Sequence, residues 1–476
     1  MIARLIVSLL LFLACAHPSG AADKQPYDLV IKNARVMDPE SGRDESGLNI
    51  GVTGGTVAVI TNEPIEGKSV IDAKGMVAAP GFIDLLSYDP NHYGVWYKIS
   101  DGVTTNLAMH GGAVKPANWL ATYEKAGSPV NFGAGFFYNL ARTRLGIGPY
   151  RPANASEIKK LVEWAERGIK EGALGIGMSL EYHPGTSKDE VEAMALVAAR
   201  FNVPVFFHAR YSDMEPPGTN IAALDEIISV ARKTGAAVHV DHINSTGGTF
   251  SMDRSIAMIE KARSEEGLDI TACVYPYPFW ATYLSSARFD PGWQKRFRIT
   301  YEDLQISGTK ERLDRESFDK NRRLGKIAVA YAIPEDDVTR ALKASFVMIG
   351  SDAILEPGDN NHPRAAGAFA RTLAVYAREK GTIDLMEAIG KMTILPARRL
   401  EASSPAFRKK GRLKAGADAD VVIFDPLRVK DTATVERPAS HSIGIDYVIV
   451  NGVVVRTPEG LIKSKLPGRA IRSTVK

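Results

Sequence analysis

Four side chains stand at or just past the ends of short apolar runs: Glu181 after residues 173–179, His208 closing 203–208, His242 closing 236–242, and Asp352 after 346–351. Glu181 and His208 are 27 residues apart and His208 and His242 are 34 apart, each about one strand-plus-helix unit. At such spacings the side chains project from neighbouring strand ends onto one spot. Two imidazoles and a carboxylate suit Zn²⁺, and three protein ligands leave a position for a reactive water. Either histidine alone would be an ordinary strand cap. Two at consecutive strand ends, with two acids beside them, point to a metal site of Glu181, His208 and His242, with Asp352 placed to accept a proton.

The elements that must hold these residues follow from periodicity. Eight short apolar runs occupy residues 82–86, 103–109, 130–136, 173–179, 203–208, 236–242, 269–274 and 346–351. Segments with helical spacing lie between them. Ser187 with Glu190 three residues on forms a capping box before Val191, Met194, Ala195 and Ala198, and a second helix runs from Ser156 through Ile158, Leu161, Val162 and Ala165. Strand alternating with helix implies a parallel sheet, and eight units close a (β/α)₈ TIM-type barrel. The 71 residues from 275 to 345 exceed one crossover, and the stretch 288–323 is dense in charge, so an insertion over the barrel mouth is expected. Both chain ends read instead as hairpin strands. Gly54-Gly55 marks a turn near the N-terminus, and Asn451-Gly452 between two apolar strands marks a two-residue hairpin near the C-terminus. The expected organisation is a β-sandwich part over 23–79, the barrel over 80–395, and a second β-sandwich part over 396–476.

Residues 1–22 read as an address: Arg4, an apolar run from Leu5 to Ala14, then Ser19-Gly20-Ala21-Ala22 before Asp23-Lys24. That order is a secretory signal peptide cut after Ala22, and the apolar run is too short to span a bilayer, which needs roughly 20 residues. Cys15 after Leu13-Ala14 leaves a lipoprotein as the alternative. Either way the destination is periplasmic or secreted. Cleavage after Ala22 leaves Cys273 as the one cysteine, so no intrachain disulfide is expected. A formal net charge of +4 without a basic block argues against nucleic acid as a partner. After signal cleavage no membrane association is expected, and the oligomeric state is undetermined.

Several ordered motifs resemble the amidohydrolase superfamily, and more narrowly its N-acyl-D-amino-acid deacylase (D-aminoacylase) branch. They are Ala79-Pro80-Gly81-Phe82-Ile83-Asp84, Gly102-Val103-Thr104-Thr105, Gly172-Ala173-Leu174-Gly175, Leu180-Glu181-Tyr182 with Pro184-Gly185, Tyr275-Pro276-Tyr277, Gly350-Ser351-Asp352, His362-Pro363-Arg364 and Gly416-Ala417-Asp418-Ala419-Asp420. The resemblance spans residues 28–455. It implies a barrel flanked by a small β-domain, a small-molecule N-acyl amino acid as substrate, Glu181 as the metal ligand that substitutes for a strand-two cysteine, and Tyr275 and Arg364 as holders of the substrate carboxylate. The chain departs from the family in three places. Leu86-Ser87-Tyr88 replaces the His-x-His of strand one, Met109-His110-Gly111-Gly112 lacks the strand-two cysteine, and Asn244 stands where the family has a substrate-binding lysine. With Leu86 and Tyr88 unable to supply a first site, one zinc per chain is expected. His110 and His92 could add a ligand, but a surface or supporting role is the commoner fate of such histidines.

Two functions stay open at this level. One is hydrolysis of the amide of an N-acyl amino acid, with Asp352 accepting the proton of the attacking water. The other is a periplasmic binding protein on a decayed enzyme scaffold. The address at the N-terminus is tested directly by intact-mass measurement of the exported protein, which should begin at Asp23; a mature chain that still starts at Met1 would remove the periplasmic assignment.

Overall fold

The computed structural model describes residues 26–358 and 361–475, so the signal peptide expected over 1–22 lies outside the described residues. The eight apolar runs become eight parallel strands: β1 (Phe82–Asp84), β2 (Val103–Ala113), β3 (Asn131–Phe137), β4 (Ile176–Ser179), β5 (Val205–His208), β6 (Val238–Val240), β7 (Ile270–Val274) and β8 (Val347–Ile349). They follow one another in sequence order around the sheet. Every residue of β1, β4, β5, β6 and β8 is buried, as expected of strands covered by helices on one side and by the barrel interior on the other. The helix after β4 (Lys188–Arg200) starts at the Ser187–Glu190 capping box. The helix before β4 spans Ala155–Lys170 and is capped by Asn154 rather than started at Ser156, because the Asn154 side chain accepts from the Glu157 N–H while Glu157 reaches back to Asn154.

The last strand meets the first through polar contacts. Asp352 N–H donates to the Leu86 carbonyl at 2.7 Å, and Ser351 N–H donates to Asp84 Oδ1 at 3.0 Å. Lys98, on the helix Gly94–Ser100, donates to Asp84 Oδ2 at 2.6 Å and to Ser351 Oγ at 2.7 Å. All three side chains are buried. This seam places the residue after Ser351, which is Asp352, at the rim of the barrel beside the exit of β1.

Between β7 and β8 the chain builds the expected insertion, a three-stranded antiparallel sheet of Trp280–Tyr283, Leu304–Ile306 and Ile327–Ala330. It carries its own aromatic cluster of Trp280, Phe289, Trp293, Phe297 and Phe318. The crossover back to β8 is the helix Glu335–Lys343. Strands from both chain ends form one nine-stranded sheet, with Val421–Phe424 from the C-terminal part pairing with Val77–Pro80 from the N-terminal part. In its hairpin turn Asn451 and Gly452 have φ of +47° and +80°, the conformation a two-residue turn of this type requires. Residues 396–476 divide between the two bodies. Ala397, Leu400 and Phe407 pack against Ile83, Leu107, Phe206 and Met348 in the barrel interior. The tail returns to β3, where Phe132 N–H donates to Arg469 and Ile471 N–H donates to Phe132.

The seam depends on a buried ion pair, and removing one partner of such a pair leaves the other charged and unsolvated. Lys98→Met should therefore destabilise the protein by roughly 3–5 kcal/mol, read as a lowered midpoint in urea or heat, and pairing it with Asp84→Asn should recover part of the loss.

Candidate metal centre and active site

At the strand exits the barrel opens into a cavity of about 440 Å³, lined by His110, His208, His242, Asp352, Arg364 and Tyr88 and roofed by Trp280, Thr282 and Arg288 of the insertion. Among the described residues, His110, His208 and His242 form the group of candidate ligands whose ligand atoms all lie within 4.8 Å of one another. Their ring centroids are 4.7 to 5.4 Å apart and all three are buried. His242 and Asp352 both have left-handed backbone, with φ of +30° and +50°. Non-glycine residues adopt such conformations at a cost that the surrounding structure must offset, and this occurs chiefly at functional sites.

Asp352 is the hub. Arg364 Nη2 lies 2.9 Å from Asp352 Oδ2 and His242 Nε2 lies 3.6 Å from the same oxygen. His110 Nε2 stands 3.7 Å from Oδ1, to which the Tyr88 hydroxyl donates at 3.3 Å. Burial by itself would raise the Asp352 pKa, but the Arg364 guanidinium and the imidazoles around it hold the carboxyl well below its usual range. Burial pushes His208 down to about 4 and His242 well below its ordinary value. Neutral imidazole is the form that ligates a cation. His110 goes the other way: burial opposes its charge, but the carboxylates of Asp352 and Asp241 outweigh it.

The structure gathers Glu181 and His208 but gives the carboxylate other duties. Glu181 Oε2 lies 2.9 Å from His208 Nε2, the Ser212 hydroxyl donates to Oε1, and Arg288 Nε is 3.5 Å away. Arg288 is itself buried, stacked 4.0 Å from the Trp280 ring and bonded through Nη1 to Ser245 Oγ at 3.0 Å. Arg364 lines the cavity as expected, and its Nε and Nη1 are buried without a hydrogen-bond partner. Tyr275 is fully buried and lies beneath Arg364, with the guanidinium 4.5 Å from its ring centroid, so it supports that group rather than forming the cavity wall. Asn244 is a correction to the expected substrate contact. It is fully buried and does not line the cavity; its amide donates to the carbonyls of Tyr275 at 3.0 Å and Tyr277 at 3.4 Å. An asparagine is too short to reach where a lysine would, and it satisfies main-chain acceptors instead.

The sequence reading gave His110 only an accessory part, and it passed over Tyr88 as a cavity residue, Asp241 and Arg288. His110 obeys the rule that singled out the others, being the polar residue that follows the apolar run 103–109. Arg288 could not be placed, because it comes from the insertion. His92 is exposed and outside the cluster.

Residues 100–456 match the model of the amidohydrolase family. The N-acyl-D-glutamate deacylase of Alcaligenes xylosoxydans xylosoxydans is 30% identical over 94% of this chain and 97% of its own length. The D-aminoacylase of the same organism is 29% identical over 91% of this chain and 95% of its own. Among solved structures, the N-acyl-D-glutamate deacylase of Bordetella bronchiseptica, complexed with zinc and a phosphonate inhibitor, superposes with a TM-score of 0.81 at 26% identity over 94% of this chain and 100% of its own. The chain belongs to the amidohydrolase family, in the D-aminoacylase branch of that superfamily.

If Asn244 braces main chain rather than touching a ligand, Asn244→Ala should cost roughly 1–3 kcal/mol, the penalty for leaving buried acceptors unpaired. Denaturation curves of the variant check this, and an unchanged midpoint would return Asn244 to a role in binding.

Proposed function

We propose that the protein is an exported, metal-dependent amidohydrolase that cleaves the amide of an N-acyl amino acid, with N-acyl-D-amino acids as the substrate class. The observation that carries this reading is the convergence, in one cavity, of three buried imidazoles, a carboxylate held ionised, and an arginine with two unpartnered N–H groups. The substrate class and the use of zinc draw support from the deacylases named above, and export from the order of residues 1–22.

The residues present fit a divalent cation. His208 and His242 are held neutral, and His208 Nδ1 is buried with no hydrogen-bond partner, a state that an ion would relieve. His208, His242 and a third donor, for which Glu181 and His110 are the candidates, would hold it. When bound, such a cation supplies Lewis-acid polarisation of the amide carbonyl and acidifies a water.

The chain's own groups supply the rest. Arg364 keeps Nη2 on Asp352 and, as part of the cavity lining, offers its positive charge to the substrate carboxylate. Because the same guanidinium touches both groups, it places the scissile amide at a set reach from Asp352. The Asp352 carboxylate accepts the proton of the attacking water at one Oδ and passes it to the leaving amine. Tyr88 and Arg364 keep that carboxylate from rotating away. Arg288 reaches the same cavity wall from the insertion, with its guanidinium held against the Glu181 carboxylate and bonded to Ser245.

The test is amine release from N-acetyl D- and L-amino acids, including N-acetyl-D-glutamate and N-acetyl-D-leucine, by the zinc-loaded mature protein. Activity is expected on D-substrates with a free carboxylate. Asp352→Asn should lower kcat by roughly 10²- to 10⁴-fold with metal content nearly unchanged. Turnover that survives this substitution would sink the mechanism, and a silent wild type across the panel would favour a binding protein on the same scaffold.

A further inference from the structure

We propose that the third protein ligand of the metal site is His110, at the exit of β2, and that Glu181 is a positioning residue for His208. This rests on the metal-dependent reading above and specifies its ligand set.

The first ground is what each ring nitrogen already does. His110 Nδ1 lies 3.1 Å from Asp241 Oδ2, both side chains being buried, and His242 Nδ1 lies 3.3 Å from Thr246 Oγ1. His208 Nε2 is engaged by Glu181 at 2.9 Å. Each imidazole thus has one nitrogen committed to a supporting oxygen. What remains is Nε2 of His110, Nε2 of His242 and Nδ1 of His208, and none of these carries a hydrogen bond. A ligating histidine whose other nitrogen is held by a carboxylate or hydroxyl has its ring orientation and tautomer set in advance. The Nε2 atoms of His110 and His242 also flank the Asp352 carboxylate alike, at 3.7 Å from one oxygen and 3.6 Å from the other.

The second ground is what Glu181 would abandon. It takes the Ser212 hydroxyl, faces His208, and is the carboxylate beside the Arg288 guanidinium, which is buried among Trp280 and Phe297. Moving its charge onto a metal would leave that guanidinium without a counter-charge in a dry setting, which is strongly unfavourable. Left in place, Glu181 does for His208 what Asp241 does for His110. With the cation displacing any proton from His110, the resulting set of three imidazoles would leave the ion's double charge undiminished for acidifying a water.

The experiment is zinc titration of the demetallated mature chain against a chromophoric chelator, for wild type, His110→Ala, His110→Gln, Asp241→Asn and Glu181→Gln, with thermal unfolding of each apo-protein as the check on folding. Wild type should hold one equivalent. Both His110 variants should lose more than the roughly 10- to 100-fold in affinity expected of a supporting partner, whereas Asp241→Asn and Glu181→Gln should keep one equivalent with losses inside that range. The visible spectrum of the cobalt-loaded protein should change with His110→Gln and stay close to wild type with Glu181→Gln. Retention of tight binding in the His110 variants, or its loss in Glu181→Gln beyond that range, would overturn the assignment while leaving a metal-dependent site in place. A wild-type chain that binds no zinc would instead overturn the functional reading on which it rests.

Discussion

The buried pair of Arg364 and Asp352 is the contact around which the site is arranged. Asp352 sits on strained left-handed backbone at the end of the strand that meets the first one, and its N–H is spent on the Leu86 carbonyl across that seam. Its buried carboxylate then faces two imidazoles and a phenol. A lone carboxylate there would take up a proton; the guanidinium at 2.9 Å keeps it charged. Arg364 also lines the cavity, so one interaction sets the charge of Asp352 and brings a guanidinium to the cavity wall.

Much of this was legible before any coordinates. The eight barrel strands fall on the eight apolar runs because a parallel strand buried on both faces has no polar alternation to blur it. Strand-end residues were legible for a related reason: where the run stops, the first polar side chain marks the rim. His208, His242 and Asp352 were found this way. Arg364 was placed by its family motif instead, and it too lines the cavity. What the residues did not reveal was how polar groups share partners. Glu181 and His110 are both strand-exit groups, and only Arg288, reaching in from a distant insertion, and Asp241, adjacent to His242 in the chain, show which is committed elsewhere. Asn244 failed for the same reason, since its neighbours are main-chain carbonyls.

The exit of the first strand carries Leu86 and Tyr88 rather than two histidines. Leu86 abuts Gly350 and Cys273, where a Cβ on Gly350 would approach Leu86 Cβ to 2.8 Å, so this position has become part of the packed barrel interior. Tyr88 instead sends its hydroxyl to Asp352. In this chain the exit of the first strand supplies packing and one hydrogen bond.

The return of the tail to β3 bears on how the molecule is made. Synthesis delivers the barrel strands long before the residues around 469–471 that pair with Phe132, and the small sheet likewise waits for Val421–Phe424 to join Val77–Pro80. Neither body is finished until nearly the whole polypeptide has left the ribosome. Until those late residues arrive, the barrel strands and the first half of the small sheet have to stand without the partners that complete them.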